Sequence, residues 1–214
     1  MITDHTVSYV HHTNGGDELI SYMARVSNPS NQANTKTSAK LIKYLMKHKH
    51  WSPFEMVSMC VEINTTRSVA AQILRHRSFS FQEFSQRYSN VELLGTPFQP
   101  EFRLQDSRNR QNSIDGTIAG EPWYRKEIDD LYAASLSLYN RLLSKGVAKE
   151  VARDVLPLAT PSRLYMHGTL RSWIHYIQLR CDNGTQREHQ HIAEQVEEIL
   201  NTHFPQVMEA YNDL

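Results

Sequence analysis

Gln72-Ile73-Leu74-Arg75-His76-Arg77-Ser78-Phe79-Ser80-Phe81-Gln82-Glu83-Phe84-Ser85-Gln86-Arg87-Tyr88 is the stretch on which the reading of this chain turns. Three guanidinium groups, one imidazole, several hydroxyls and amides and one carboxylate are interleaved with Phe79, Phe81 and Phe84. Arginine forks match phosphate oxygens two bonds at a time and stay charged at any working pH. Gln72 precedes Arg75 and His76 by three and four positions, so these side chains can share one face of a helix end. Ser85 and nearby backbone N–H groups can complete an anion cradle, and Glu83 suits a ribose hydroxyl or the orientation of an arginine. Composition alone equally allows a solvated Arg/Ser-rich turn, or a loop that holds single-stranded nucleic acid by charge and phenylalanine stacking. The interleaved aromatics argue for a packed segment, in which arginines need partners.

Outward from this stretch, Arg67 to about His76 reads as a helix with Val69, Ala70, Ile73 and Leu74 on its apolar side. Ser78 to Asn90 lacks clean periodicity, which places the cluster on a helix end plus an ordered loop. Upstream, Met56 to Asn64 alternates Val57, Met59, Val61 and Ile63 on one face, as a strand does, and Thr6 to His12 has the character of a first strand. Asp17 is positioned to cap a short helix that ends before Asn28-Pro29. Leu41, Ile42, Leu45 and Met46 recur at helical spacing from about Thr37 to Lys49, and Trp51-Ser52-Pro53-Phe54 breaks that helix.

Downstream, Gly95 to Gly120 is polar and weakly hydrophobic, a long surface excursion. Glu121 to Lys145 reads as a helix with Ile128, Leu131, Leu138 and Leu142 buried, and with Trp123, Tyr124, Tyr132 and Tyr139 as core. Lys149 to Val155 is a short helix stopped by Pro157. Arg163 to about Leu179 reads as mainly helical, with Trp173, Ile174 and Ile177. Thr185 to about His203 carries Ile192, Val196, Ile199 and Leu200 as a core stripe. There are no repeats, no βαβ alternation and no G-x-G-x-x-G, so the expected fold is a single α+β domain over residues 1–214 with a small, mainly antiparallel sheet.

Acidic and basic residues balance at 23 each, which argues against a protein whose task is to coat nucleic acid. Cys60 and Cys181 form no C-x-x-C pair and fit a reducing compartment. The N-terminus lacks the basic and apolar regions of a signal peptide, and no run approaches the roughly 18 apolar residues of a membrane span. The expectation is a soluble, cytoplasmic protein without membrane or nucleic-acid partners.

Arg75-His76-Arg77, seven residues and then Ser85 resembles the R-H-R…S signature of the flavin-dependent thymidylate synthases. The longer form of that motif, R-H-R-x-x-S-x-N-E-x-S-x-R-Y, is matched by Ser80, Glu83, Ser85, Arg87 and Tyr88, with Gln82 standing where the family commonly has Asn. Further blocks resemble the family in order: Ala24-Arg25-Val26-Ser27, Tyr44 to His48, His50-Trp51-Ser52-Pro53-Phe54-Glu55, Glu150 to Leu158, Arg171-Ser172-Trp173 and Leu179-Arg180. Gly95–Gly120 has no counterpart.

The resemblance implies reductive methylation of dUMP to dTMP, with methylenetetrahydrofolate as carbon donor, FAD as hydride carrier and NADPH as reductant, releasing tetrahydrofolate. It also implies a homotetramer with shared active sites. Carried across, dUMP would meet Gln72, Ile73, Leu74 and Arg75, and from a different subunit Glu83, Phe84, Ser85, Gln86 and Arg87, together with Arg153 and Arg180. Arg180 would sit near the pyrimidine N3, where a permanent cation raises electron density at C5. FAD would meet Ser52, Arg75, His76, Arg77, Glu83, Thr169, Leu170, Arg171 and His175, with Ser27 and His50 at the flavin or folate. Arg171 and His175 are four apart on one expected helix and can face one ligand.

No covalent nucleophile is required. Cys60 reads as a packing residue, Cys181 follows Arg180 and lies near the site, and Ser85 reads as a hydrogen-bond donor since no base adjoins it in sequence. Eleven histidines invite a metal, yet no H-E-x-x-H or E-x-x-H pair stands out, and His189 and His191 fall on nearly opposite helix faces. The rival reading is a nucleic-acid-binding protein that uses the Arg/Phe-rich segment 67–88.

Overall fold

A computed structural model describes residues 1–213. The chain runs β1 (Thr6–His12), α1 (Gly16–Ala24), α2 (Ser38–Lys47), β2 (Ser58–Thr66), α3 (Arg67–Ile73), β3 (Ser80–Glu83), a short hairpin of β4 (Leu104–Gln105) and β5 (Ser113–Ile114), α4 (Glu121–Ser144), α5 (Lys149–Ala152), β6 (Pro161–Thr169), α6 (Leu170–Arg180), α7 (Arg187–His203) and α8 (Pro205–Asn212). Four strands form an antiparallel sheet in the order β1-β2-β6-β3. The architecture is α+β, as the sequence patterning predicts.

β2 is the spine. Its alternating Met59, Val61 and Ile63, with Val57 just ahead of the strand, are wholly buried, and β6 sets Leu164 and Met166 opposite Ile63 and Val61. Helices α6 and α7 cover this face with Trp173, Ile177, Ile192 and Val196, all without solvent exposure. Burial of this apolar area is the main stabilising term. Among the described residues no helix is long and apolar enough to cross a membrane.

Three expectations fail here. Arg163–Leu179 is helical only from Leu170: its first part, Arg163–Thr169, belongs to strand β6. Ser162, Leu164, Met166 and Gly168 point into the protein while Arg163, Tyr165 and His167 are less buried, a period of two that pairing with β2 enforces over local preference. The segment after Ser78 likewise contains β3, paired with β6. The third failure is α4, where Leu131 and Leu138, with Trp123 and Tyr124, are exposed and only Tyr139 is buried. Helical spacing shows which residues share a face and says nothing about whether one chain covers that face. Tyr139 packs on Val91 and Ala152 in a satellite core.

Asp17 also acts elsewhere than expected. Gly15 occupies the N-cap of α1, and the buried Asp17 carboxylate accepts the Gln206 N–H at 2.9 Å. It therefore caps α8, a helix the sequence reading missed.

Gly168 is where the motif rests on the sheet. A Cβ there would lie 2.4 Å from the Phe79 ring, which in turn stands edge-on to Trp173 at 4.6 Å between centroids. Gly168→Ala is expected to cost about 1–3 kcal/mol from overpacking, outweighing the chain-entropy gain that Gly→Ala usually brings. Urea denaturation checks this; equal or greater stability would show that Phe79 is not held against the strand.

Candidate active site

Helix α3 ends at Ile73, and the Arg75 and His76 N–H groups close its last turn on the carbonyls of Gln72 and Ile73. The turn aims Gln72 and His76 toward α6 and α7, while Arg75, Arg77 and Ser78 remain exposed. Arg180, the last residue of α6, donates from Nε to His76 Nε2 at 2.9 Å. No acceptor for its terminal nitrogens is present among the described residues. The fold thus brings Gln72, His76 and Arg180 to one place, where the sequence spacing joins only Gln72 with His76.

Behind them lies a residue it passed over. His189 on α7 is fully buried, with its ring 6.0 Å from that of His76. Its Nδ1 lies 3.4 Å from Gln72 Oε1 and its Nε2 lies 3.2 Å from the Tyr176 hydroxyl. An amide oxygen only accepts, so Nδ1 carries the proton and Nε2 accepts from Tyr176. The signal was available, since His189 precedes Ile192 and Val196 by three and seven positions and so belongs to the core stripe.

Burial, and then the Arg180 cation with His76, pulls His189 down to about 3. Burial, and then Arg180 and His175, pulls His76 down to about 4. Burial also pushes the Tyr176 phenol upward. At neutral pH the nest therefore holds one charge, on Arg180, among neutral groups with fixed donor and acceptor roles. Burial, followed by Glu197 and Glu194, raises the Cys181 thiol to about 12, and burial raises Cys60 as well, so neither is a thiolate nucleophile.

Arg171 and His175 share one face of α6 as expected, and they border a cavity of about 730 Å³ with Ser78. Its apolar wall is Met46, Trp51, Ile174 and Tyr211, and Lys47 and Lys49 add to its basic rim. Lys49 is the only residue other than glycine with a left-handed backbone, at φ 58° among the described residues. It sits where a helix usually ends in glycine, so the backbone carries a cost there while a lysine is delivered to the rim. Glu55 pairs with Arg171.

Thr169 caps α6 by accepting the Ser172 N–H, whereas Leu170 is wholly buried and its N–H is bonded to the Val57 carbonyl. Ser52 and His50 are exposed near this rim, on the turn after α2. Ser27 stands apart, lining a shallow cleft with Arg25 and Tyr44. Arg25 itself is a pin, bonded to the Asn34 carbonyl and to Thr37 Oγ1.

The second half of the motif lies elsewhere. Ser80 pairs with His167 and Glu83 with Leu164, so β3 carries the chain about 10 Å along β6, away from the start of α6. Glu83 is held by Arg67 and by the Ser162 hydroxyl at 2.7 Å. The Phe84 N–H bonds to the Arg163 carbonyl, and Gln86 is buried. Ser85 is exposed, and Arg87 pairs with Glu150 at 3.0 Å, joining the motif to the block that contains Arg153. Ile73 is core, so a ligand could reach it only through its backbone. Within one chain, then, Arg75–Arg77 with Arg180 and Ser85–Arg87 with Arg153 form two separate clusters.

Clustered arginines, neutral histidines and a mixed apolar and basic cavity on an α+β frame define a site for phosphorylated, planar ligands. The chain belongs to the thymidylate synthase complementing protein family, whose model matches residues 8–206. It is 52% identical over 206 residues to a probable flavin-dependent thymidylate synthase of Paramecium bursaria Chlorella virus 1, covering 96% of this chain and 94% of that one. It is 50% identical over 194 residues to the flavin-dependent thymidylate synthase of Synechocystis, covering 90% and 87%. A crystal structure of a UMP/dUMP methylase, PolB from Streptomyces cacaoi bound with 5-Br dUMP, superposes with a TM-score of 0.87 at 29% identity, over 100% of this chain and 96% of that one.

The two depressed histidines set an acid sensitivity. Both are neutral in the folded protein at values of about 4 and about 3, while the unfolded chain titrates near the ordinary value of 6.5. As pH falls below 6.5 the unfolded state binds protons first, so stability is full above that value and is lost toward pH 4. Melting temperature should therefore drop across this window, and His189→Gln, which keeps a donor and an acceptor, should flatten the drop. An unchanged slope in that variant would rule out His189 as a source.

Proposed function

We propose that this chain is a flavin-dependent thymidylate synthase that methylates dUMP to dTMP. The observation that carries this is Arg180, held through Nε by a neutral His76 beside Gln72, with its terminal nitrogens left for a ligand. His76 can hold Arg180 because it is unprotonated; an imidazolium would repel the guanidinium. Placed at the N3–O4 edge of uracil, a permanent cation stabilises negative charge on the ring and makes C5 more nucleophilic. Arg75 and Arg77 would take the nucleotide phosphate together with Ser85, Arg87 and Arg153 from another copy of the chain. That sharing answers the separation of the two clusters, and a homotetramer would provide it.

The cavity bordered by Arg171 and His175 fits FAD: its apolar wall suits a planar ring system, and Lys49 and Arg171 suit a diphosphate. Bound there, FAD would supply the hydride for reduction of the transferred carbon, with NADPH as the source of electrons and methylenetetrahydrofolate as the donor of carbon. Ser78 and Thr169 would orient it at the mouth and His50 and Ser52 at the rim. The nucleic-acid reading finds no support: of the arginines in segment 67–88, Arg67 and Arg87 are paired with Glu83 and Glu150, and the similar proteins are thymidylate synthases and a dUMP methylase.

The test is tritium release from [5-³H]dUMP with FAD, NADPH and methylenetetrahydrofolate. Wild-type protein should release tritium, and Arg180→Ala should lower kcat/KM by about 100-fold or more while keeping its melting temperature. Absence of release from folded, flavin-loaded wild type would overturn the assignment.

A further inference from the structure

The segment Gly95–Gly120, which matches no block of the family motif, is tied to the candidate nucleotide site by an unbroken chain of side-chain hydrogen bonds. Arg103, beside β4, is nearly buried; its side chain is 9% exposed. It donates from Nε to Ser113 Oγ at 2.9 Å, which locks the β4–β5 hairpin, and from a terminal nitrogen to Glu188 Oε1 at 2.6 Å. Glu188 lies in the first turn of α7, with 14% of its side chain exposed. Its other oxygen accepts from Gln186 Nε2 at 2.7 Å. Gln186 Oε1 accepts from Gln72 Nε2 at 2.5 Å. Gln72 Oε1 then faces the His189 Nδ1–H, whose ring accepts from Tyr176.

Each link has only one chemically permitted direction. A carboxylate accepts only, so Gln186 must turn its NH₂ to Glu188 and its oxygen to Gln72. Gln72 must then turn its NH₂ to Gln186 and its oxygen to the protonated nitrogen of His189. The charge on Glu188 thus fixes the orientation of two amides in series. That charge is maintained against burial: desolvation would raise the Glu188 carboxyl, but hydrogen bonds from Arg103 and Gln186 hold it below the usual range. Without Arg103 the largely buried carboxylate is left short of its cation and is driven to take up a proton or swing toward water, and either change releases the amides from their fixed sense.

We infer that Gly95–Gly120 is a positioning element of the nucleotide site, in which Arg103 acts through Glu188 and Gln186 to set the Gln72 amide that meets dUMP. Arg103 is a positioning residue and touches no reacting atom. The inference rests on the reading of Gln72 as a dUMP ligand given above.

The experiment is a double-mutant cycle on dUMP binding, measured as KM for dUMP and as Kd by calorimetry in FAD-loaded protein. Arg103→Met should weaken dUMP by roughly 3- to 20-fold, the range for mutations that act on a site without contact. FAD content should be unchanged. Glu188→Gln, a milder change that preserves shape, should act in the same direction. In a Gln72→Ala background neither change should weaken dUMP further, because the route ends at Gln72. The charge-reversed pair Arg103→Glu with Glu188→Arg should not restore affinity, since an arginine at 188 cannot accept from Gln186. A purely structural role would lower affinity equally in both backgrounds, and that result, or an unchanged KM in both single variants, overturns the inference. Failure of wild-type protein to bind dUMP would instead overturn the reading of the site itself.

Discussion

The antiparallel pairing of β2 with β6 governs the rest of the molecule. Nine consecutive residue pairs, from Ser58 with Thr169 to Thr66 with Pro161, lock the register of the two central strands. A slip of one residue would turn Leu164 and Met166 out of the core and Arg163 and Tyr165 into it. The same register places Gly168 under Phe79 and so fixes where the motif lies on the sheet. It also sets the start of α6, because the strand passes directly into the helix at Leu170, and from there the positions of Arg171, His175 and Arg180.

On that frame the electrostatics are spare. Burial strips charge from His76 and His189 and leaves Arg180 as the cation of the nest, which costs less than burying several charges together. Neutral imidazoles can then accept as well as donate, and this gives the cluster a defined set of hydrogen-bond directions. The cavity at the other side of α6 has the opposite character, with basic groups at a rim and aromatic and aliphatic side chains beneath. One helix, α6, therefore serves both places: Arg180 at its end faces the nucleotide nest, and Arg171 and His175 at its start face the cavity.

Much of this was legible in the sequence where local pattern and final structure agree. The β2 alternation, the α7 stripe and the pairing of Gln72 with His76 needed only spacing and side-chain chemistry, whereas Arg180 joined them only through the family resemblance. β6 was not legible, since Arg163-Leu164-Tyr165-Met166-His167 mixes polar and apolar residues without strong strand preference and is a strand only because β2 lies beside it. Nor was the exposure of Leu131 and Leu138, which depends on what lies across from α4. His189 was discounted as a ligand because its neighbour His191 points away; its place in the core stripe was the better guide. The separation of Ser85–Arg87 from Arg75–Arg77 could not be seen in one continuous motif, because it arises from β3 running along the sheet.

That separation makes the sharing of one nucleotide site between copies of the chain the central claim. Two variants, Arg75→Ala and Ser85→Ala, each remove one half of the motif and should each be nearly inactive in dUMP methylation. Unfolded together, refolded and assayed, they should regain activity above either variant alone, because some sites then receive an intact half from each copy. If the mixture stays as inactive as its components while wild-type protein recovers from the same treatment, the two halves do not meet across a subunit boundary.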